Sequence, residues 1–125
     1  MNLCLGRSNV GTSLRQQTWL FTTTYNRHSA HLFVKTADIQ SPKDKPEPRT
    51  HTMGTDSGNS ITRGWCDECG CGLFIKPQTK PDMTCLKAGL FKPHEIPNPT
   101  MENWMKNMEN WETPAKGTKR TSDVQ

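Results

Sequence analysis

Short apolar runs alternate with polar stretches rich in glycine and proline along most of the 125-residue chain. Runs of this length, bounded by turn-forming residues, are typical of β-strands. We expect strands at Trp19–Thr24, His31–Ile39, Ser60–Trp65, Leu73–Ile75 and Met83–Leu90. The pattern therefore predicts a mainly β fold built as a single small domain.

The segments between these runs are expected to be loops and turns. Ser41–Thr52 carries three prolines among charged residues and predicts an exposed loop, and Thr55–Asn59 predicts a tight turn. Within Met101–Trp111, apolar residues recur at steps of three and four, which taken alone favours a short amphipathic helix. The polar, charged segment 117–125 is expected to be a disordered tail.

Composition limits the core and the class of partner. Only 31% of the residues are hydrophobic, so burial of apolar side chains alone would give marginal folding stability. We therefore expect an additional stabilising feature. The formal charge is +4, but the basic residues are scattered, which makes a nucleic-acid partner unlikely. The sequence has no apolar run long enough for a membrane span, and we expect a soluble cytoplasmic protein.

Four of the five cysteines lie between Cys66 and Cys85, and two of them, Cys66 and Cys69, form a C-x-x-C-G motif. Two thiolates at this spacing reach one ion across a tight turn, and zinc prefers tetrahedral thiolate ligands. We therefore predict a zinc site at Cys66 and Cys69. A redox pair and two incidental thiols are the alternatives.

The sequence does not rank the remaining zinc ligands. Candidates are Cys4, His51, Cys71, Cys85 and His94. Cys85 lies within an apolar run, where a cysteine more often acts as a small hydrophobic residue.

Three segments resemble one known family. Asp56–Gly70 is similar to the D-S-G-N-x-x-x-R-x-F-C-x-x-C-G segment of the glutathione-dependent formaldehyde-activating (centromere protein V) family. Leu86–Leu90 is similar to its K-A-G-x-L strand, and Glu102–Trp111 to its E-x-F-x-K-N-R-x-x-W segment, with Met108 in place of the arginine. The resemblance implies a mainly β, Mss4-like zinc-binding fold, in which Glu102–Asn107 is a strand followed by a turn.

The resemblance also implies two zinc sites, one structural and one catalytic. Cys66 and Cys69 correspond to the second pair of structural ligands, whereas the upstream C-x-C pair has no counterpart. Arg7–Ser13 fits the R-x-x-x-G-x-S that follows the catalytic C-H-C-x-x-C, which places Gly6 at the third cysteine. The catalytic and cofactor-binding residues therefore stay unassigned, and the domain is expected to be incomplete at its N-terminus.

The implied function is that of a zinc-dependent carbon–sulfur lyase, in which the thiol of glutathione adds to formaldehyde. Because the catalytic cysteines are missing, we expect this chain to be weak or inactive as an enzyme. The alternative is a non-catalytic zinc-binding interaction module. The expected organisation is a poorly matched segment at 1–30, the zinc-binding β domain at 31–116 and the tail at 117–125.

Overall fold

The computed structural model describes residues 17–21, 29–41 and 45–122. Cys4 and Arg7–Ser13 lie outside these ranges. The described residues form eight strands: β1 (Gln17–Phe21), β2 (Ser29–Lys35), β3 (Arg49–Gly54), β4 (Ser60–Trp65), β5 (Gly72–Pro77), β6 (Met83–Lys87), β7 (Pro99–Asn103) and β8 (Lys119–Arg120). The helical segments among them are three-residue 3-10 turns, at Thr36–Asp38, Ala88–Leu90 and Met105–Asn107. The predicted mainly β fold is confirmed.

The chain forms two compact units. In the first, which spans 34–86 in the described part, β3, β4, β5 and β6 pair antiparallel in that order. The turn between β3 and β4 closes through a hydrogen bond that the Thr55 N–H donates to the Asn59 carbonyl (2.8 Å). Gly58 takes a φ of +79° within it, a conformation that costs glycine little. The turn predicted at Thr55–Asn59 is confirmed.

Strand β3 occupies part of the segment that we expected to be a loop, and the prediction is wrong for 49–52. All six residues of β3 pair with β4, from Arg49 opposite Trp65 to Gly54 opposite Ser60. Pro46 and Pro48 precede the strand and remove no ladder hydrogen bond from it. All six residues are exposed, so no alternation of buried and exposed positions marked this strand in the sequence.

The core of the first unit is small, with Val34, Thr84, Cys85 and Leu86 buried. On the same sheet Phe74 lies opposite Gly64. The absence of a side chain at Gly64 leaves space that the Phe74 ring occupies, since a Cβ built there would be only 2.3 Å from the Phe74 Cζ. The thin core expected from composition is therefore present in this unit.

The second unit comprises 17–21, 29–33 and 87–122 in the described part. Strand β1 pairs antiparallel with β2 and parallel with β7, which in turn pairs parallel with β8. Much of its buried set is polar: His31, Glu102, Asn103 and Glu112 are buried beside Leu32 and Ala88. The last two residues of β2 belong to the first unit.

The helix favoured by residue spacing over Met101–Trp111 is not formed. Residues 99–103 are strand β7, Trp104 takes a left-handed φ of 60°, and the 3-10 turn Met105–Asn107 follows. The strand followed by a turn that the family resemblance implied is confirmed. Residues 88–90, expected to extend the preceding strand, instead form a 3-10 turn. Strand β8 lies in the segment expected to be a disordered tail, and the domain boundaries remain a prediction.

Candidate metal centre

A tight turn between β4 and β5 carries three cysteines in six residues, Cys66–Cys71. The Cys66 N–H donates to the Cys71 carbonyl (2.9 Å), and the Gly70 N–H donates to the Cys66 carbonyl (2.9 Å). Gly70 takes a φ of +70°, which a residue with a Cβ adopts only with strain. The glycine after the second cysteine therefore allows the turn to fold back on itself. We call this turn, 66–71, the knuckle.

The three thiols of the knuckle differ in their surroundings. Cys66 is half-buried, whereas Cys69 and Cys71 are exposed. The Cys71 thiol donates to the Gly72 carbonyl at 3.7 Å, which is within the range of a weak sulfur hydrogen bond. The Cys71 side chain is therefore directed toward the next backbone carbonyl in this structure.

Both residues between Cys66 and Cys69 are acidic, and each pairs with a cation at or just before the start of β3. Asp67 pairs with Arg49 through the guanidinium Nε, and Glu68 lies 3.9 Å from the Lys45 ammonium. The two ion pairs connect the knuckle to the start of the first hairpin.

The thiols of Cys66 and Cys69 are donors that suit zinc, but two donors are only half of a tetrahedral set. Within the described residues, no three side chains of histidine, cysteine, aspartate or glutamate form a group that holds a metal ion. Of the further candidate ligands, Cys85 is buried in β6, and His51 and His94 are exposed. Cys4 lies outside the described residues. The arrangement therefore offers Cys66 and Cys69, with the other coordination positions to be filled by other donors.

The sequence analysis did not assign the polar group formed by Ser29, His31 and Lys87. The Lys87 ammonium donates to the Ser29 hydroxyl (2.8 Å) and lies 3.4 Å from Nε2 of His31, which is fully buried. These residues are 58 and 56 positions apart in the chain, and only strand pairing brings them together. The K-A-G resemblance marked Lys87 but indicated no partner for it.

Glu102 is a second polar residue whose contacts were not predicted. Its carboxylate accepts hydrogen bonds from the Ala115 N–H (3.1 Å) and the Thr118 hydroxyl (2.6 Å), and it lies 3.5 Å from Nε of Arg120. The side chain is only 8% exposed. Glu102 therefore organises the segment 115–120 against β7, and its contacts indicate a structural role.

The family model described as glutathione-dependent formaldehyde-activating enzyme matches residues 22–107, more than half of the chain. The chain belongs to this family. The matched range contains the knuckle, the Leu86–Leu90 segment and the strand and turn at 99–107, while Arg7–Ser13 precedes it. At the family level, the function is therefore that of a glutathione-dependent formaldehyde-activating protein.

Comparison with curated proteins and with solved structures found no significant match. Family membership thus rests on the match over 22–107. Among the described residues, no helix is long and apolar enough to cross a membrane.

Proposed function

We propose that this chain is a zinc-binding member of the formaldehyde-activating family, with Cys66 and Cys69 as metal ligands. The observation that carries the proposal is the knuckle, in which glycine at positive φ closes a turn bearing two cysteines at C-x-x-C spacing. A bound zinc would join the ends of β4 and β5. Because the unit has few buried apolar side chains, metal binding would contribute directly to its folding free energy.

The reaction class that we propose is the reversible addition of the glutathione thiol to formaldehyde, a carbon–sulfur lyase reaction in reverse. A bond forms between the sulfur and the aldehyde carbon, the carbonyl π bond breaks, and the thiol proton ends on the oxygen. Zinc, when bound, supplies Lewis-acid polarisation of a carbonyl and stabilises thiolate at neutral pH. Cys66 and Cys69 would hold the ion, and Arg49 and Lys45 offset the charges of Asp67 and Glu68.

The catalytic rate is expected to be low. A catalytic zinc usually has three protein ligands and one open position at fixed geometry. The knuckle supplies two thiols at C-x-x-C spacing, and within the described residues no three side chains of histidine, cysteine, aspartate or glutamate are grouped to hold a metal ion. The same ligand count favours a second candidate function, a non-catalytic zinc-binding module.

Metal analysis of matched cysteine variants tests the ligand assignment. We expect about one zinc per purified chain, and Cys66→Ser and Cys69→Ser should each lower the zinc content and the melting temperature together. Cys85→Ala is the control, since it also removes one thiol. This variant should keep its zinc and lose only about 1 to 2 kcal/mol of stability through a small cavity. Unchanged zinc content in both knuckle variants would reject the assignment.

A rate measurement separates the two candidate functions. The formation of S-hydroxymethylglutathione from glutathione and formaldehyde is compared with the uncatalysed rate, using protein containing a known amount of zinc. A rate above background that disappears with a chelator and returns with zinc would support the lyase. A zinc-loaded protein with only the background rate would support the non-catalytic module.

A further inference from the structure

A cavity of about 440 Å³ lies within the first unit, over one face of its sheet. The sheet forms the floor of the cavity. In its strand register, four residues lie side by side across β3 to β6: Thr50, Gly64, Phe74 and Leu86. Three of these residues line the cavity, as do Leu73 from β5 and Ile39 from the segment after β2. The volume is within the range of small-molecule sites. The cavity therefore has an apolar base large enough for the body of a small ligand.

Four hydroxyl-bearing residues line the cavity, and two of them, Thr36 and Thr84, form a hydrogen-bonded pair. Thr84 has no exposed surface, and its Oγ1 lies 2.8 Å from Oγ1 of Thr36. Thr36 also donates to the Pro81 carbonyl at 3.4 Å, which leaves Thr84 as the donor between the two hydroxyls. Both hydroxyl protons are then used within the protein, while oxygen lone pairs remain. A ligand group placed here would therefore have to be a hydrogen-bond donor.

Lys76 supplies a positive charge at the same cavity. It follows Phe74 by two residues on β5, and its ammonium is 5.0 Å from the centroid of the Phe74 ring. Within the described part of the chain, no carboxylate pairs with Lys76, whereas the other lining lysine, Lys45, lies near Glu68. The ammonium is thus available to an anionic ligand group.

The charged side chains of the lining favour a singly charged anion over a doubly charged one. Lys45 and Lys76 are offset by Glu47 and Glu68, so a doubly charged phosphate would meet two carboxylates with little net attraction. One lysine ammonium acts as a point charge and suits a single carboxylate, whereas planar, bidentate recognition requires arginine.

We propose that this cavity binds a small amphipathic carboxylate. The carboxylate contacts the Lys76 ammonium, and the apolar body packs on Phe74 and Leu86. A hydroxyl or amide group of the ligand donates to the Thr36 hydroxyl, which unlike Thr84 is only partly buried. The inference goes beyond the proposed zinc function, because the contacts come from sheet side chains. Cys66 also lines the cavity, but none of the three proposed contacts uses it.

A titration followed by amide NMR tests the site with 3-(4-hydroxyphenyl)propionate as the probe. Binding on the order of 1 mM is expected for a ligand of this size, with shifts at the lining amides of β5 and β6. Two further probes separate the contacts: 3-(4-hydroxyphenyl)propionamide lacks the charge, and 3-phenylpropionate lacks the hydroxyl. Each should bind more weakly than the first probe. Equal binding of acid and amide would overturn the role of Lys76.

Two variants assign the contacts to residues. Lys76→Gln should weaken binding of the carboxylate by about three- to fivefold and leave binding of the amide unchanged. Lys92→Gln, at an exposed lysine of the second unit, is the control and should change neither. Thr36→Val removes the accepting hydroxyl, so it should weaken binding of the hydroxylated probe but not of 3-phenylpropionate.

Two results would overturn the proposal. The same loss of affinity in Lys92→Gln as in Lys76→Gln would show non-specific charge attraction and overturn the proposal. Shifts confined to residues outside the cavity would do the same. If Thr36→Val does not fold, the affinities of the acid and the amide for Lys76→Gln still test the proposal. Zinc content is measured on the same samples, so loss of metal is distinguished from loss of ligand binding.

Discussion

Replacing Gly64 by alanine tests whether the close contact with Phe74 stabilises the first unit. An added Cβ would lie 2.3, 2.5 and 2.7 Å from three atoms of the Phe74 ring. Carbon atoms in contact are ordinarily about 3.5 to 4.0 Å apart, so the ring must move by roughly 1 Å or more. Inserting a methyl group into a packed site costs about 1 to 3 kcal/mol.

A second effect acts in the opposite direction. Alanine loses less backbone entropy on folding than glycine, which favours the variant by about 0.5 to 1 kcal/mol. The net expectation for Gly64→Ala is a loss of about 0.5 to 2 kcal/mol in the free energy of unfolding. This corresponds to a fall in melting temperature of roughly 2 to 8 °C for a domain of this size.

Denaturant unfolding of a small set of variants provides the assay. Gly54→Ala is the matched control, because Gly54 is also in a strand and a Cβ added there would have no atom within 4 Å. It should be neutral or slightly stabilising. In a Phe74→Ala background the ring is absent, and Gly64→Ala should then cost nothing or stabilise by up to about 1 kcal/mol. An equal cost of Gly64→Ala in both backgrounds would refute the reasoning.

Two further predictions concern charged side chains. Arg49→Gln removes the ion pair to Asp67, and because both groups are well exposed the loss of stability should be at most about 1 kcal/mol and should be smaller at high salt, which screens surface charges. A salt-independent effect would contradict this. Glu102→Gln should cost about 1.5 to 3 kcal/mol and speed amide exchange at 115–120, because charge-assisted hydrogen bonds weaken. Glu95→Gln, at an exposed carboxylate that accepts one backbone bond, should change stability little.

Local chemistry made part of this structure predictable. The turn at Thr55–Asn59 and the strand Ser60–Trp65 depend on neighbouring residues, and both are present as expected. The knuckle is also local, since the two cysteines and Gly70 lie within five positions. Its turn forms as the motif indicates, whereas zinc binding at Cys66 and Cys69 remains a prediction.

Other features depend on residues far apart in the chain. Strand β3 has no alternating pattern, and only its pairing with β4 makes it a strand. The spacing within Met101–Trp111 favours a helix, but pairing of β7 with β1 and β8 holds residues 99–103 in an extended form. The fully buried His31 lies beside Lys87 for the same reason.

The sequence by itself therefore determined the mainly β class, the family and the two-cysteine turn. These follow from composition, short apolar runs and motifs confined to a few residues. Only the tertiary structure decided which strands pair, which polar groups are buried and where the cavity beside Lys76 lies. The physical reason is that strand pairing satisfies backbone hydrogen bonds between distant segments. The side chains that this pairing brings into contact cannot be recognised from the spacing of neighbouring residues.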